Sequence, residues 1–207
     1  MDKKIRMACL TALEYSEKQT VDSIFDLDKK GIDLIELLVP FSDPVAENPE
    51  IQDASLRALK NGCTIEKIFT MLDGIKGKID AKILLSFYAN TAYRYGYNRF
   101  SERAAKAGVY GLIAEDMPFE EKKEMEPAAE ANGLFVVNII ASKNSKRIKE
   151  IAQDAKELIC ISPSLTMSTD RGEFQHILEI IKDNTGVPVL TLDNKADNEN
   201  SRYLVSI

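Results

Sequence analysis

Strand-length apolar runs alternate with amphipathic, helix-length segments along almost the whole chain, and that alternation leaves few folds open. The runs cover residues 5–11, 32–39, 81–88, 109–115, 134–140, 157–162 and 187–192; helical patterns lie near 18–30 and at 50–59, 64–75, 98–108, 119–132, 143–155 and 173–184. The strands are apolar on nearly every residue rather than on every second one, as in a parallel sheet covered by helices on both faces. Strands of this kind with one hand of crossover predict a TIM-type (β/α)8 barrel or a doubly wound sheet. After the first strand the chain reads LTALEYS, with no Gly-rich turn of the kind a dinucleotide-binding sheet carries there, so the barrel is the expectation. The length of 207 residues suits one barrel domain spanning residues 1–207.

The far end fits this scheme poorly. Between the seventh strand and RYLVSI lies DNKADNENS, too short to supply the helix of a parallel crossover, which needs roughly a dozen residues or more. If residues 203–207 form an eighth strand, no regular helix precedes it. The barrel is therefore expected to be incomplete at its C-terminal end, with the last one or two β/α units degenerate. Open strand edges and apolar helix faces need a cover, so self-association, as a homodimer through the open end, is expected.

Composition removes several classes of function. A net charge of −6 argues against nucleic acid and anionic membrane surfaces, both of which call for a basic stripe. Small molecules and proteins are the expected partners. The first residues, MDKKIRMACLTALEY, hold only a short apolar run, neither signal peptide nor membrane span, and a cytoplasmic location is expected. Cys9, Cys63 and Cys160 form no CxxC pair, and His176 is the single histidine, so neither a metal site nor a Ser-His triad is expected.

Polar residues in or just after barrel strands are the informative ones, because function in this architecture sits at the C-terminal ends of the strands. Glu36 lies between Leu34, Ile35, Leu37 and Leu38. A lone buried carboxylate costs several kcal/mol unless it protonates or finds donors, and that makes Glu36 a candidate general acid or base. A carboxylate paired with a Lys or Tyr of the next strand is the competing reading. Glu47 follows on the loop, where a second carboxylate lets one group move a proton while the other steadies developing charge.

The order of residues around this pair carries a resemblance. ELLVPFSDPVAENPEIQDASLRALKNG resembles the second-strand signature of the tryptophan synthase alpha subunit family, ELGxPFSDPxADGPxIQxAxxRAL. LLSFYANTAYRYGYNRF is similar to that family's third strand and YxN loop, and AGVYGLIAEDMPFEE to its fourth strand and acidic turn. The resemblance implies a (β/α)8 barrel that cleaves indole-3-glycerol phosphate to indole and glyceraldehyde 3-phosphate by a retro-aldol reaction with no cofactor. It implies catalytic roles for Glu36, as the acid/base that protonates the ring carbon, and for Glu47, in place of a family aspartate that holds the ring N–H. It also implies substrate contacts for Tyr88, Asn90 and Thr166, and contact with a beta subunit through Asp43 and Pro44.

Several positions depart from the family pattern. Glu47 is one methylene longer than aspartate, a displacement of about 1 Å, and a misplacement of that size can cost on the order of a hundredfold. Asn48 replaces the following glycine. SPSLTMSTDRG stands where the family has S-R-S-G-V-T-G, and Ile159 where it has a tyrosine. LTLDNKA, with Leu192, Asp193 and Asn194, replaces the glycines of the family's phosphate-binding turn, and Lys195 supplies one point charge there. Three readings follow: a lyase of this type weakened at its phosphate site, a non-catalytic barrel that binds or regulates a beta subunit, and a barrel enzyme with a changed substrate.

Overall fold

The computed structural model describes residues 5–45 and 47–191, and the backbone of residues 204–205. The phosphate-turn positions Leu192, Asp193, Asn194 and Lys195 lie outside the described residues. The chain forms two compact units, one of them Met7–Val136.

That unit runs β1 (Met7–Thr11), α1 (Glu17–Lys29), β2 (Leu34–Leu38), α2 (Pro49–Lys60), α3 (Ile65–Ile75), β3 (Lys82–Phe87), α4 (Ala89–Tyr95), α5 (Tyr97–Lys106), β4 (Val109–Ala114) and α6 (Lys122–Glu130). Its strands pair in parallel in the order β1-β2-β3-β4. Local chemistry sets the helix starts. Ser16, Asn48 and Thr64 each accept a bond from a backbone N–H three residues on, capping α1, α2 and α3, as short polar side chains at that position do. Replacing Asn48 by Ala is expected to cost about 1 kcal/mol, read as a lower urea midpoint at unchanged slope. Gly96, at φ 88°, separates α4 from α5 in a conformation that disfavours other residues.

The core explains why the strands carry so few polar residues. Ile35, Leu37, Val39, Ile83, Leu85, Phe87, Leu112 and Ala114 pack with Ile24, Ile68, Phe69, Leu72, Phe100 and Met125 of the helices. The alternate residues Leu34, Leu38, Leu84 and Ile113 are buried too, so both faces of this sheet are covered, as the continuous apolar runs predict.

One close approach shapes the face opposite the helices. A methyl group on Gly111 would lie 2.5 Å from Cζ of Phe135; the ring sits directly over the glycine and meets Tyr110 edge-on at 5.1 Å. Gly111→Ala must displace that ring, so a loss of about 1–3 kcal/mol is expected, measurable by thermal or urea unfolding.

The second unit holds β5 (Asn138–Ile140), α7 (Ser145–Asp154), β6 (Ile159–Ile161), α8 (Pro163–Met167), α9 (Arg171–Asn184), β7 (Val189–Leu190) and β8 (Leu204–Val205). Here β5, β6 and β7 are parallel, but β8 runs antiparallel to β7, with Val189 opposite Val205. An antiparallel partner is what a connection too short for a crossover helix permits. Among the described residues no helix is long and apolar enough to cross a membrane.

Candidate active site

Glu36 occupies the middle of β2 and is 2% exposed. Its neighbours Ile35 and Leu37 face the helices, so alternation turns Glu36 to the opposite face. There it stands in register with Cys9 of β1 and Leu84 of β3, and Leu84 in turn with Gly111 of β4. Next to it, toward the strands' C-terminal ends, come Thr11, Leu38, Ser86 and Ile113.

The loop that follows β2 is held by its own backbone. Val45 N donates to Asp43 O at 2.9 Å and Glu47 N to Pro44 O at 3.1 Å, while Gln52 Nε2 donates to Glu47 O at 2.9 Å. Glu47 is half-buried, just before the α2 cap. Asn48, which stands for a glycine in the family pattern, has φ −71° and ψ 164°, a conformation open to any residue, and uses its side chain to start the helix. Asp43 is exposed and Pro44 buried.

Tyr88 lies one residue beyond β3, is 1% exposed and stacks flat on Phe41, ring centroids 4.8 Å apart and planes 6° from parallel. Phe41 belongs to the PFSDP segment, so this stack ties the loop carrying Glu47 to the end of β3. Such an aromatic pair contributes about 0.5–1.5 kcal/mol beyond its burial. Asn90 is exposed in the first turn of α4. The first unit therefore carries Glu36, Glu47, Tyr88, Asn90, Asp43 and Pro44.

Thr166 belongs to the second unit. It lies in α8, a short helix capped by Ser162 and opened by Pro163. Its hydroxyl donates to Ser162 O at 3.3 Å and lies 3.4 Å from the Thr191 hydroxyl. A helix thus stands where the family pattern has a glycine-bearing loop. Ile159 is fully buried in β6.

Ser86 and Glu115, to which the family resemblance gives no role, add a polar pair near this face. Ser86, 0% exposed, donates from Oγ to Glu115 Oε1 at 2.5 Å. Ser86 carries the same signal as Glu36, a polar side chain in a strand apolar on both faces, and Glu115 ends the fourth apolar run. Asp116, the next residue, accepts from Ala89 N at 2.6 Å and so supplies a partner for an N-terminal amide of α4. Cys63 is kept out of the chemistry: burial pushes its thiol up to about 11, which leaves little thiolate near neutral pH.

Comparison with known proteins places these features. The family model described as "Tryptophan synthase alpha chain" matches residues 3–191. The tryptophan synthase alpha chain of Clostridium beijerinckii is 34% identical over 181 residues, covering 85% of this chain and 70% of that relative. Among solved structures, tryptophan synthase subunit alpha from Legionella pneumophila superposes with a TM-score of 0.81 at 28% identity, over 90% of this chain and 71% of that one. A chain from the tryptophan synthase α2β2 complex of Pyrococcus furiosus gives 0.80 at 27% identity, over 91% of this chain and 78% of that one. The fold is the TIM-type α/β barrel of these proteins over the part that the chain spans. The chain belongs to the tryptophan synthase alpha chain family.

Proposed function

We propose that the protein is a lyase that cleaves indole-3-glycerol phosphate to indole and glyceraldehyde 3-phosphate. The observation that carries this reading is Glu36: a carboxylate 2% exposed in the middle of a parallel strand, facing away from the helix layer, in a chain of this family. Glu36 delivers a proton to the ring carbon that bears the glycerol chain, and Glu47 takes the proton from the ring nitrogen. Glu36, now a base, removes the proton of the chain hydroxyl next to that carbon. The carbon–carbon bond breaks, the hydroxyl becomes the aldehyde, and the electron pair returns to the ring as the nitrogen regains its proton. The two carboxylates exchange roles within one turnover, and the reaction needs no external oxidant or metal.

Glu47 enters this scheme through the bond of its N–H to Pro44 O and the Phe41–Tyr88 stack, which limit the freedom of its loop. Fixing a loop in advance lowers the ordering cost at the moment of reaction. Asn90 and Thr166 are assigned substrate contacts on the motif correspondence. The same loop is the proposed docking surface for a tryptophan synthase beta subunit, with Asp43 and Val45 exposed above the buried Pro44. The relative from Pyrococcus furiosus was solved as an α2β2 complex. The cytoplasm is the proposed setting.

The test is indole release from indole-3-glycerol phosphate by the intact chain, with Glu36→Gln as the control. Release by the wild type that Glu36→Gln lacks supports the reading; equal rates for the two overturn it.

A further inference from the structure

A second carboxylate reaches the face that carries Glu36, and the reaction described above does not use it. Glu115 N donates to Phe87 O at 2.9 Å, so the ladder of β3 and β4 continues one residue past Ala114. Ala114 packs on the helix side, and alternation turns Glu115 to the face of Glu36. Its carboxylate takes the hydrogen bond of fully buried Ser86. Ser86 lies one strand across and two residues along from Glu36. With strands about 4.8 Å apart and a rise of about 3.3 Å per residue, their Cα atoms are roughly 8 Å apart, within the length of a bicyclic ring and its side chain.

Phe135 decides where a ring can lie. Glu36, Leu84 and Gly111 share one row of the sheet, and the Phe135 ring covers that row at Gly111. That leaves the next row, Ser86 and Ile113, beside which the Glu115 carboxylate is anchored, as the side on which a ring at Glu36 would meet a polar group. A bare hydrocarbon edge laid against the carboxylate would desolvate it without adding a hydrogen bond, an unfavourable exchange. A ring carrying a hydroxyl or amino group would return a charge-assisted hydrogen bond.

We propose that Glu115, positioned by Ser86, is a specificity-determining residue that makes this site favour indole rings carrying a hydrogen-bond donor substituent over the unsubstituted ring. The inference rests on the ring-binding reading of the Glu36 site. It is tested by calorimetric titration of the intact chain with indole, the four hydroxyindoles substituted on the six-membered ring, and the matched methylindoles. At least one hydroxyindole is expected to bind roughly ten- to a hundredfold more tightly than its methyl counterpart, the range of a hydrogen bond to a charged group.

That ratio is expected to fall to about threefold or less in Glu115→Ala and to drop partway in Ser86→Ala, in line with the loss of all or part of one such bond. Glu115→Gln, which keeps the shape and an acceptor oxygen, is expected to keep an intermediate ratio. The ratio separates this role from a structural one, because loosened packing weakens both ligands together. Indole bound without discrimination between hydroxyl and methyl, or discrimination that survives Glu115→Ala, overturns the proposal and leaves the lyase reading standing. Failure of wild type to bind any of the rings overturns both.

Discussion

Replacing Glu36 by Gln is expected to lower indole release from indole-3-glycerol phosphate by roughly 10²- to 10⁴-fold, the usual contribution of a positioned acid/base. The amide has the shape of the carboxyl group and cannot pass a proton. Because Glu36 is 2% exposed in the centre of β2, water has no easy route to replace it. The exchange keeps the size and shape of the side chain and opens no cavity, so the far-ultraviolet circular dichroism spectrum and the unfolding midpoint should stay close to those of the wild type. A tenfold loss or less would mean that Glu36 is a structural carboxylate and that the proton comes from elsewhere. A large loss accompanied by unfolding would identify Glu36 as a structural partner in the sheet.

Phe100→Ala is expected to have the largest effect on stability, about 3–5 kcal/mol. Phe100 is 0% exposed in α5. Its ring lies 4.8 Å from Phe87 of β3, 5.7 Å from Phe69 of α3 and 5.9 Å from Tyr95 of α4. Removing it takes away the body that three elements share, and aromatic neighbours of that size cannot collapse into the space. Whole domains are stable by only about 5–15 kcal/mol, so the variant should unfold at a much lower urea concentration with the slope of the transition unchanged. A loss below about 1 kcal/mol would show that the cluster repacks.

Much of the fold was legible because the strands are buried on both faces. A run such as IDLIELLV or AKILLSFY does not read as a half-exposed strand, and its length separates it from a helix. Helix starts were legible where a side chain caps its own helix, as Ser16, Asn48 and Thr64 do. The helix α4 carries no such signal, and the reason is physical. It starts after Tyr88, which makes no side-chain cap bond, and the amide of Ala89 finds its partner in Asp116, 27 residues away.

The short connection before RYLVSI weighs against a parallel β8, but its antiparallel pairing with β7 is not written in the local sequence. At the site, Glu36 stood out as a charge among leucines. The Ser86–Glu115 bond and the Phe135 ring over Gly111 did not, since each joins residues brought together only by strand register. The stack of Tyr88 on Phe41 is hidden in the same way, since it joins the PFSDP segment to the end of β3 only in the folded chain.

The central claim is that Glu36 performs acid/base chemistry on an indole substrate in a chain that works with a beta subunit. It is tested most directly by measuring indole release from indole-3-glycerol phosphate by the wild-type chain and by Glu36→Gln, each alone and titrated with a tryptophan synthase beta subunit. The predicted result is release by the wild type that rises as beta subunit is added, and release from Glu36→Gln at least about a hundredfold lower at every ratio. Wild-type release indistinguishable from that of Glu36→Gln, with and without the beta subunit, would contradict it.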